Sequence, residues 1–181
     1  MNSVNGVHAA LQKGNTMSIR PVAMALALGM FLSPALAQVA GENQVLGTWR
    51  LVSATIDPGG QNIPAYGNNP NGLLVFTPDM HFSAVITDAD TPRFASGTRG
   101  EGTSEENRMA VSRNIGFFGR YTVDDSGEFS GNRVEGSTFP NWVGGVRTRD
   151  DLRMVVEGDR MIEHFRRPEG TQIRIEWQRV G

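Results

Sequence analysis

The stretch "RDDLRMVVEGDRMIEHF" (149–165) contains two strand-like runs that are separated by only two residues, Gly158 and Asp159. The first run covers 149–157 and the second covers 160–165, and both contain residues that favour β-structure. A two-residue step of this type between such runs is typical of a β-hairpin with a type I′ turn. The stretch therefore predicts two antiparallel strands joined by a tight turn.

Further runs of the same kind are spread along the chain, separated by clusters of Gly, Pro, Asn and Asp. They are "TWRLVSATI" (48–56), "GLLVFT" (72–77), "HFSAVIT" (81–87), "GFFGRYTV" (116–123), "EFSGNRVEGS" (128–137) and "QIRIEWQRV" (172–180). Eight antiparallel strands tend to close, because closure removes unpaired edges. "TSEENRMAVSRNI" (103–115) instead suits a short helix with Ser104 as its N-cap. The pattern predicts an all-β, eight-stranded, up-and-down antiparallel barrel with one short helix.

The N-terminal part of the chain has the features of a secretory signal peptide. Arg20 supplies a positive charge, residues 22–32 are almost all apolar, and Ala35-Leu36-Ala37 matches a small-residue cleavage motif. The apolar run is shorter than the roughly twenty residues that cross a bilayer as a helix. We therefore expect cleavage after Ala37 and export to the periplasm or the medium, the alternative being a retained N-terminal anchor.

This expectation divides the chain into three parts. Residues 1–37 are the segment that is removed, and its first part, 1–16, is either an upstream extension or a long n-region. The sequence therefore does not decide whether translation starts at Met1 or at Met17. Residues 38–45 are expected to be a flexible mature N-terminus, and 46–181 form the barrel domain. No membrane span is expected after cleavage.

Composition excludes several kinds of chemistry. The chain has no Cys, which removes disulfides and thiol nucleophiles, and no Lys follows the predicted cleavage site, which removes Schiff-base catalysis. His81 and His164 have no ligand-spaced partner, so neither a metal site nor a cofactor is expected. The formal net charge is −2 and the basic residues form no patch in the sequence, so we expect no nucleic-acid partner.

Several motifs, in order, resemble one known family. They are "LGTWRLVSATIDPGG" (46–60), "NPNGLLVFTPDMHFSAVI" (69–86), "RFASG" (93–97), "FFGRYTVDDSG" (117–127), "VEGSTFPNWVGG" (134–145) and "IEWQRV" (175–180). Together they are similar to the bacterial and fungal lipocalin-like domain family of the calycin group. The resemblance implies a calycin-type barrel and says little about activity.

The resemblance also assigns structural roles. Gly47-x-Trp49 is similar to the lipocalin G-x-W motif, in which the Trp plugs the closed end of the barrel, and Arg179 would stack on it by cation–π contact. Family members often carry histidine in the strand where this chain has Asn132 and Arg133. That departure weakens any transfer of imidazole chemistry.

"FPNWVGG" (139–145) is a corner at one end of the predicted barrel, because Pro140 ends strand pairing. Phe139 and Trp142 on this corner either cap the core or line a ligand entrance. The expected ligand is a small hydrophobic molecule, bound by side chains that are mostly aromatic. These are Phe76, Phe118, Tyr121, Phe139, Trp142, Met154 and Phe165.

Three residues are candidates for catalysis. Glu135 shares a face with Ser137 and would be a partly buried general acid or base if that face lines the lumen, unless Arg120 or Arg133 pairs with it. His164 faces away from its neighbour Glu163 on a strand, so these two cannot form a dyad. Tyr121 supplies a hydroxyl.

Three functions are compatible with these features. The first is an exported protein that binds a small, largely apolar molecule inside the barrel. The second is a cofactor-independent isomerase, cyclase or lyase that uses the same interior, and whether the chain is an enzyme stays open. The third is a structural envelope module with a filled barrel, which a cavity no larger than a water molecule would favour. Ligand identity, oligomeric state and the inward faces of the strands are not predicted.

Overall fold

The structure is a computed structural model that describes residues 41–57, 59–167 and 169–180. The predicted signal segment, 1–37, lies outside the described residues. The elements in chain order are β1 (Gly47–Ile56), β2 (Ile63–Pro64), β3 (Pro70–Phe76), β4 (His81–Asp88), α1 (Ser104–Arg113), β5 (Ile115–Val123), β6 (Phe129–Ser137), a 3₁₀ helix (Pro140–Trp142), β7 (Val146–Thr148), β8 (Leu152–Glu157), β9 (Arg160–Arg166) and β10 (Gln172–Val180).

The strands form one antiparallel sheet that curls into a nearly closed barrel. Neighbouring strands follow the order β7-β6-β5-β4-β3-β1-β10-β9-β8, and β2 pairs with β1. The two ends of this order meet where β8 lies beside β6. The predicted calycin-type barrel with one helix is confirmed. Its strand count is ten rather than eight, because β2 and β7 are two and three residues long and too short for a sequence pattern.

Alternation along each strand places the core inside the barrel. In β4, Phe82, Ala84 and Ile86 are buried while Ser83 and Val85 are exposed. The hairpin predicted at Gly158-Asp159 is present, and it sets Glu157 opposite Arg160 and each earlier residue of β8 opposite a later residue of β9. Its turn is not the expected type I′, because of the two turn residues only Gly158, at φ +61°, has a positive φ. Because side chains alternate with a period of two, these pairings decide which residues meet inside.

Helix α1 begins at a capping box. The Thr103 hydroxyl accepts from the Glu106 backbone N–H at 3.2 Å, and the Glu106 carboxylate accepts from the Thr103 backbone N–H at 2.7 Å. The N-cap is therefore Thr103, and the expectation of Ser104 is wrong, since only Thr103 stands three residues before a Glu that can return the bond. No residue of α1 is buried, and none of the described helices is long and apolar enough to cross a membrane.

The segment that leads into β1 is attached to the barrel from Gly41 onward. The Gly41 N–H donates to the Asp125 carbonyl at 2.7 Å, and the Gln44 N–H donates to the Gly127 carbonyl at 2.9 Å. Val45 is 1% exposed. Residues 41–45, the part of the predicted flexible N-terminus that the structure describes, are therefore hydrogen-bonded to the β5–β6 turn. Their last residue, Val45, packs into the core.

Candidate functional site

One end of the barrel is closed by a tryptophan and an arginine. Trp49 is completely buried, and its indole N–H donates to the Val45 carbonyl at 2.7 Å. The guanidinium carbon of Arg179 lies 4.1 Å from the centroid of the Trp49 ring, and its N–H groups donate to backbone carbonyls, including that of Gln44 at 3.0 Å. Gly47, at φ +114°, leaves room for this guanidinium, since a Cβ there would lie 3.1 Å from Arg179 Nη1. This end carries a structural plug.

The other half of the barrel encloses a small cavity of about 20 Å³. This volume holds about one water molecule. Most of the lining is apolar, and a few polar side chains converge on it. The lining residues are Tyr66, Leu74, Phe76, Phe82, Ala84, Ile86, Phe117, Asn132, Trp142, Arg147, Leu152, Met154, Glu163, Phe165, Ile175 and Trp177.

Glu163 is a buried carboxyl group inside the barrel. It is 9% exposed, lies directly opposite Met154 in the β8–β9 ladder, and accepts a hydrogen bond from the Trp177 indole N–H at 2.9 Å. Burial raises the pKa of Glu163, while the Trp177 hydrogen bond and the charge of Arg147 oppose the rise. A raised pKa favours the neutral acid, which can donate as well as accept a hydrogen bond.

Arg147 is a half-buried cation enclosed by aromatic rings. Its guanidinium carbon lies 4.7 Å from the ring centroids of both Trp142 and Phe165 and 5.4 Å from that of Phe117. Burial lowers the pKa of Arg147, and the charge of Glu163 opposes this. In the part of the chain that the structure describes, its guanidinium has no hydrogen bond and no ion pair. Cation–π contact is its main compensation.

Two more polar side chains belong to the same cavity. Asn132 is 6% exposed, and its Oδ1 atom has no hydrogen-bond partner among the described residues. It is the direct register partner of Arg147 across β6 and β7. Tyr66 lies between β2 and β3, and burial raises its pKa to about 12, which keeps its hydroxyl protonated. A buried amide oxygen without a hydrogen-bond partner lowers the stability of the folded protein. Such a group is therefore a candidate for binding a ligand.

The corner at 139–145 forms the open end of the barrel. Its 3₁₀ turn holds Trp142 edge-on to the rings of Phe117, Phe139 and Phe165, with centroids 5.2, 6.0 and 6.4 Å away. Outside this ring cluster is an open vestibule of about 380 Å³ between α1, the corner and the β9–β10 connection. Tyr66, Trp142 and Phe165 line both the vestibule and the inner cavity. The aromatics of the corner therefore separate the interior from the mouth.

The predicted ligand-binding residues are distributed over four places: the inner cavity, the vestibule, the wall near the closed end and the outer face. Four of them line the inner cavity: Phe76, Trp142, Met154 and Phe165. Phe139 is 42% exposed and lines the vestibule instead. Tyr121 packs against Phe76 near the closed end, with ring centroids 4.8 Å apart.

Contrary to the prediction, Tyr121 and Phe118 do not line the cavity. The Tyr121 hydroxyl donates to the Thr77 carbonyl at 2.8 Å and accepts from Asn43 at 2.7 Å, so it is satisfied within the wall. Burial raises its pKa. Phe118 is 54% exposed, because Phe117 and Tyr121 face inward and alternation turns Phe118 outward, where its ring lies over Gly136.

The structure places the remaining catalytic candidates, Glu135 and His164, on the outer face and not in the lumen. Glu135 is exposed and pairs with Arg120 at 3.3 Å. His164 is exposed and stands in register between Arg153 and Arg174. Partial burial lowers the pKa of His164, and these two cations lower it further. Neither side chain reaches the cavity.

The polar residues of the cavity were missed from the sequence, although one signal pointed to Glu163. A two-residue turn at Gly158-Asp159 places Glu163 opposite Met154, so an inward Met154 requires an inward Glu163. Arg147 carries no such signal, because β7 is only three residues long. Among the described residues, no three His, Asp or Glu side chains form a metal-binding group.

Comparisons with known proteins agree with the fold. Residues 46–173, more than half of the chain, match the family described as the lipocalin-like domain. No curated protein sequence matches significantly.

Similar solved structures include a redesigned β-barrel (13% identity, 81% of this chain and 98% of that chain, TM-score 0.41). Others are secretory abundant heat soluble protein 4 from Ramazzottius varieornatus (14%, 78% and 98%, 0.40) and fatty-acid-binding protein 1 from Echinococcus granulosus (16%, 75% and 97%, 0.37). These likenesses are too distant to indicate a ligand. The barrel, the plugged end and the family match together lead to one conclusion: the chain belongs to the lipocalin-like domain family.

Proposed function

We propose that this protein is exported and binds one small, largely apolar molecule inside its barrel, without a cofactor. The observation that carries the proposal is the convergence of Asn132, Arg147 and Glu163 on a cavity that is otherwise walled by apolar side chains. Binding sites for small molecules have this composition, with apolar walls and a few polar groups that orient the ligand. Export rests on the signal-peptide features before Gln38.

A ligand has to displace the side chains at the mouth. The cavity of about 20 Å³ is far smaller than the vestibule of about 380 Å³ outside it. Trp142 sits on a short 3₁₀ turn outside the strands, and Gly144 at φ +83° follows it. Rotation of the Trp142 and Phe165 rings would join the two volumes. Loops and turns of this kind are the least stable parts of a fold.

Two alternatives each have one supporting observation. The small volume favours a filled barrel with a structural role. The buried Glu163 favours a cofactor-independent isomerase, cyclase or lyase, in which this carboxyl group, rather than Glu135, would act as general acid or base. Binding comes first because an enzyme acting inside the barrel would also require it, whereas a filled barrel would exclude it.

Fluorescence titration with the neutral probe N-phenylnaphthylamine tests the proposal. The wild-type protein should bind one equivalent saturably, and Ala84→Leu, which adds volume to the cavity wall, should lower the affinity by about ten-fold or more. Ser83→Leu is the matched control, since Ser83 precedes Ala84 and faces solvent. Circular dichroism establishes that each variant is folded. Equal binding by Ala84→Leu and wild type, or no saturable binding at all, would contradict the proposal.

A further inference from the structure

We infer that the ligand carries one negatively charged group, such as a carboxylate or sulfonate, and that Arg147, Asn132 and Tyr66 bind this group inside the barrel. The inference rests on the proposed binding function and adds the chemical class of the ligand: an apolar organic acid. Three features of the cavity support it, namely its charge, its set of donors and its shielding from water.

The charge of the cavity is that of Arg147. Its guanidinium is half-buried between three rings and has no ion pair or hydrogen bond in the described part of the chain. A cation removed from water without a counter-charge is costly, and aromatic faces offset only part of that cost. An anionic ligand supplies the missing counter-charge, and the planar guanidinium fits a carboxylate or sulfonate through two parallel N–H bonds.

Glu163 lines the same cavity but forms no ion pair with Arg147 among the described residues. Burial raises its pKa, which favours the neutral acid, although the charge of Arg147 opposes this rise. Two titratable groups interact with Glu163: Arg147 on β7 and Tyr66 in the loop after β2. In addition, Trp177 on β10 donates a hydrogen bond to Glu163, and Met154 on β8 lies opposite it. Whenever Glu163 is protonated, the cavity carries the net positive charge of Arg147 and one additional O–H donor.

The donors are placed to act together. Asn132 and Arg147 are direct neighbours across β6 and β7, so their Cβ atoms are about 5 Å apart and both side chains face inward. With an anion bound, the Asn132 Nδ2 group would donate to it, and Oδ1, which has no partner in the described structure, would accept from the guanidinium. Tyr66 stays protonated because burial raises its pKa to about 12, and it lines both the cavity and the vestibule.

Two dyes that share one skeleton and differ by a single sulfonate group provide the test. Anilinonaphthalene sulfonate has the skeleton of N-phenylnaphthylamine plus one sulfonate group. The wild-type protein should bind the anionic dye about ten-fold tighter, the difference expected for a charge-assisted hydrogen-bonded pair. Arg147→Gln should remove most of that advantage, measured as the ratio of the two dye affinities within the same variant. Only binding that Ala84→Leu weakens is counted, which excludes dye on the outer surface.

Arg133→Gln is the matched control. Arg133 is adjacent to Asn132 in β6 but exposed on the outer face, so its loss should leave the preference for the anionic dye unchanged. Asn132→Leu, a second variant that keeps Arg147, should reduce the preference in part. Saturable binding of the neutral dye without a preference for the anion, or a preference that survives Arg147→Gln, would overturn the inference while leaving the proposed function intact. Absence of saturable binding of both dyes would overturn both.

Discussion

Replacement of Trp49 by alanine is expected to lower the free energy of unfolding by about 3–5 kcal/mol, the range for removal of a buried tryptophan. Trp49 is completely buried, and its ring is held on two sides, by its hydrogen bond to the Val45 carbonyl and by the stacked guanidinium of Arg179. Its loss leaves a cavity and removes the surface on which Arg179 packs. The lead-in segment before β1, which Arg179 binds through the Gln44 carbonyl, should loosen with it.

Urea unfolding followed by circular dichroism measures this effect without using tryptophan fluorescence. Trp142→Ala is the matched control, because Trp142 is also a tryptophan but lies half-buried at the mouth of the barrel. We expect it to cost clearly less stability than Trp49→Ala. If both variants lose the same amount, Trp49 does not have the structural role described above.

Substitution of Glu163 by glutamine is expected to make the protein more stable at neutral and mildly alkaline pH and to flatten the dependence of stability on pH. Burial raises the pKa of Glu163 above its value in the unfolded chain. The folded state therefore binds more protons, and its stability falls as pH increases. The contribution of the neutral acid is complete below the ordinary carboxyl range, about pH 4, and is lost as pH rises through the folded-state pKa. Glutamine keeps the acceptor for Trp177 but does not ionise.

The measurement is the free energy of unfolding of wild type and Glu163→Gln from about pH 4 to about pH 8. The variant should gain on the wild type steadily as pH rises. Groups such as Glu176, whose pKa is lowered by its hydrogen bond with Arg160, are the same in both proteins, so the difference between the curves isolates Glu163. Glu135→Gln, on the outer face, is the control. Parallel curves for wild type and Glu163→Gln would show that Glu163 is not buried as described.

Most of the fold could be predicted from local pattern. The strand-like runs and the two-residue turn at Gly158-Asp159 agree with the observed strands, because turn residues and alternation are properties of short segments. The short strands β2 and β7 could not be predicted, since two or three residues carry no period. The plug residues Trp49 and Arg179 lie at opposite ends of the domain sequence, and it was the family resemblance, not alternation, that brought them together.

The inward faces were less predictable, because β-bulges change them. In β6, the register with β5 skips Ser130, so Phe129 and Asn132 both face inward although they are three residues apart. Simple alternation from Phe129 would have turned Arg133 and Glu135 into the barrel, and the irregularity turns both of them out. A bulge depends on how two strands pair, so the sequence of one strand alone gives little sign of it.

Candidate site residues were found where a strand pattern was intact and missed elsewhere. Met154 and Phe165, two of the predicted ligand-binding residues, line the cavity in a hairpin of regular register, and the same register would have given Glu163. Arg147 lies in a strand that follows an irregular corner, and its place among three rings depends on long-range packing. Tyr66 lies in a loop whose path the sequence does not reveal.

The claim that a small molecule binds inside the barrel is tested most directly by the three indole N–H signals in a nitrogen-labelled spectrum. Trp49 reports on the closed end, Trp177 on the inner cavity beside Glu163, and Trp142 on the mouth. Addition of N-phenylnaphthylamine should shift the Trp177 and Trp142 signals saturably and leave the Trp49 signal in place. A Trp177 signal that stays unchanged while the dye saturates would contradict binding inside the barrel.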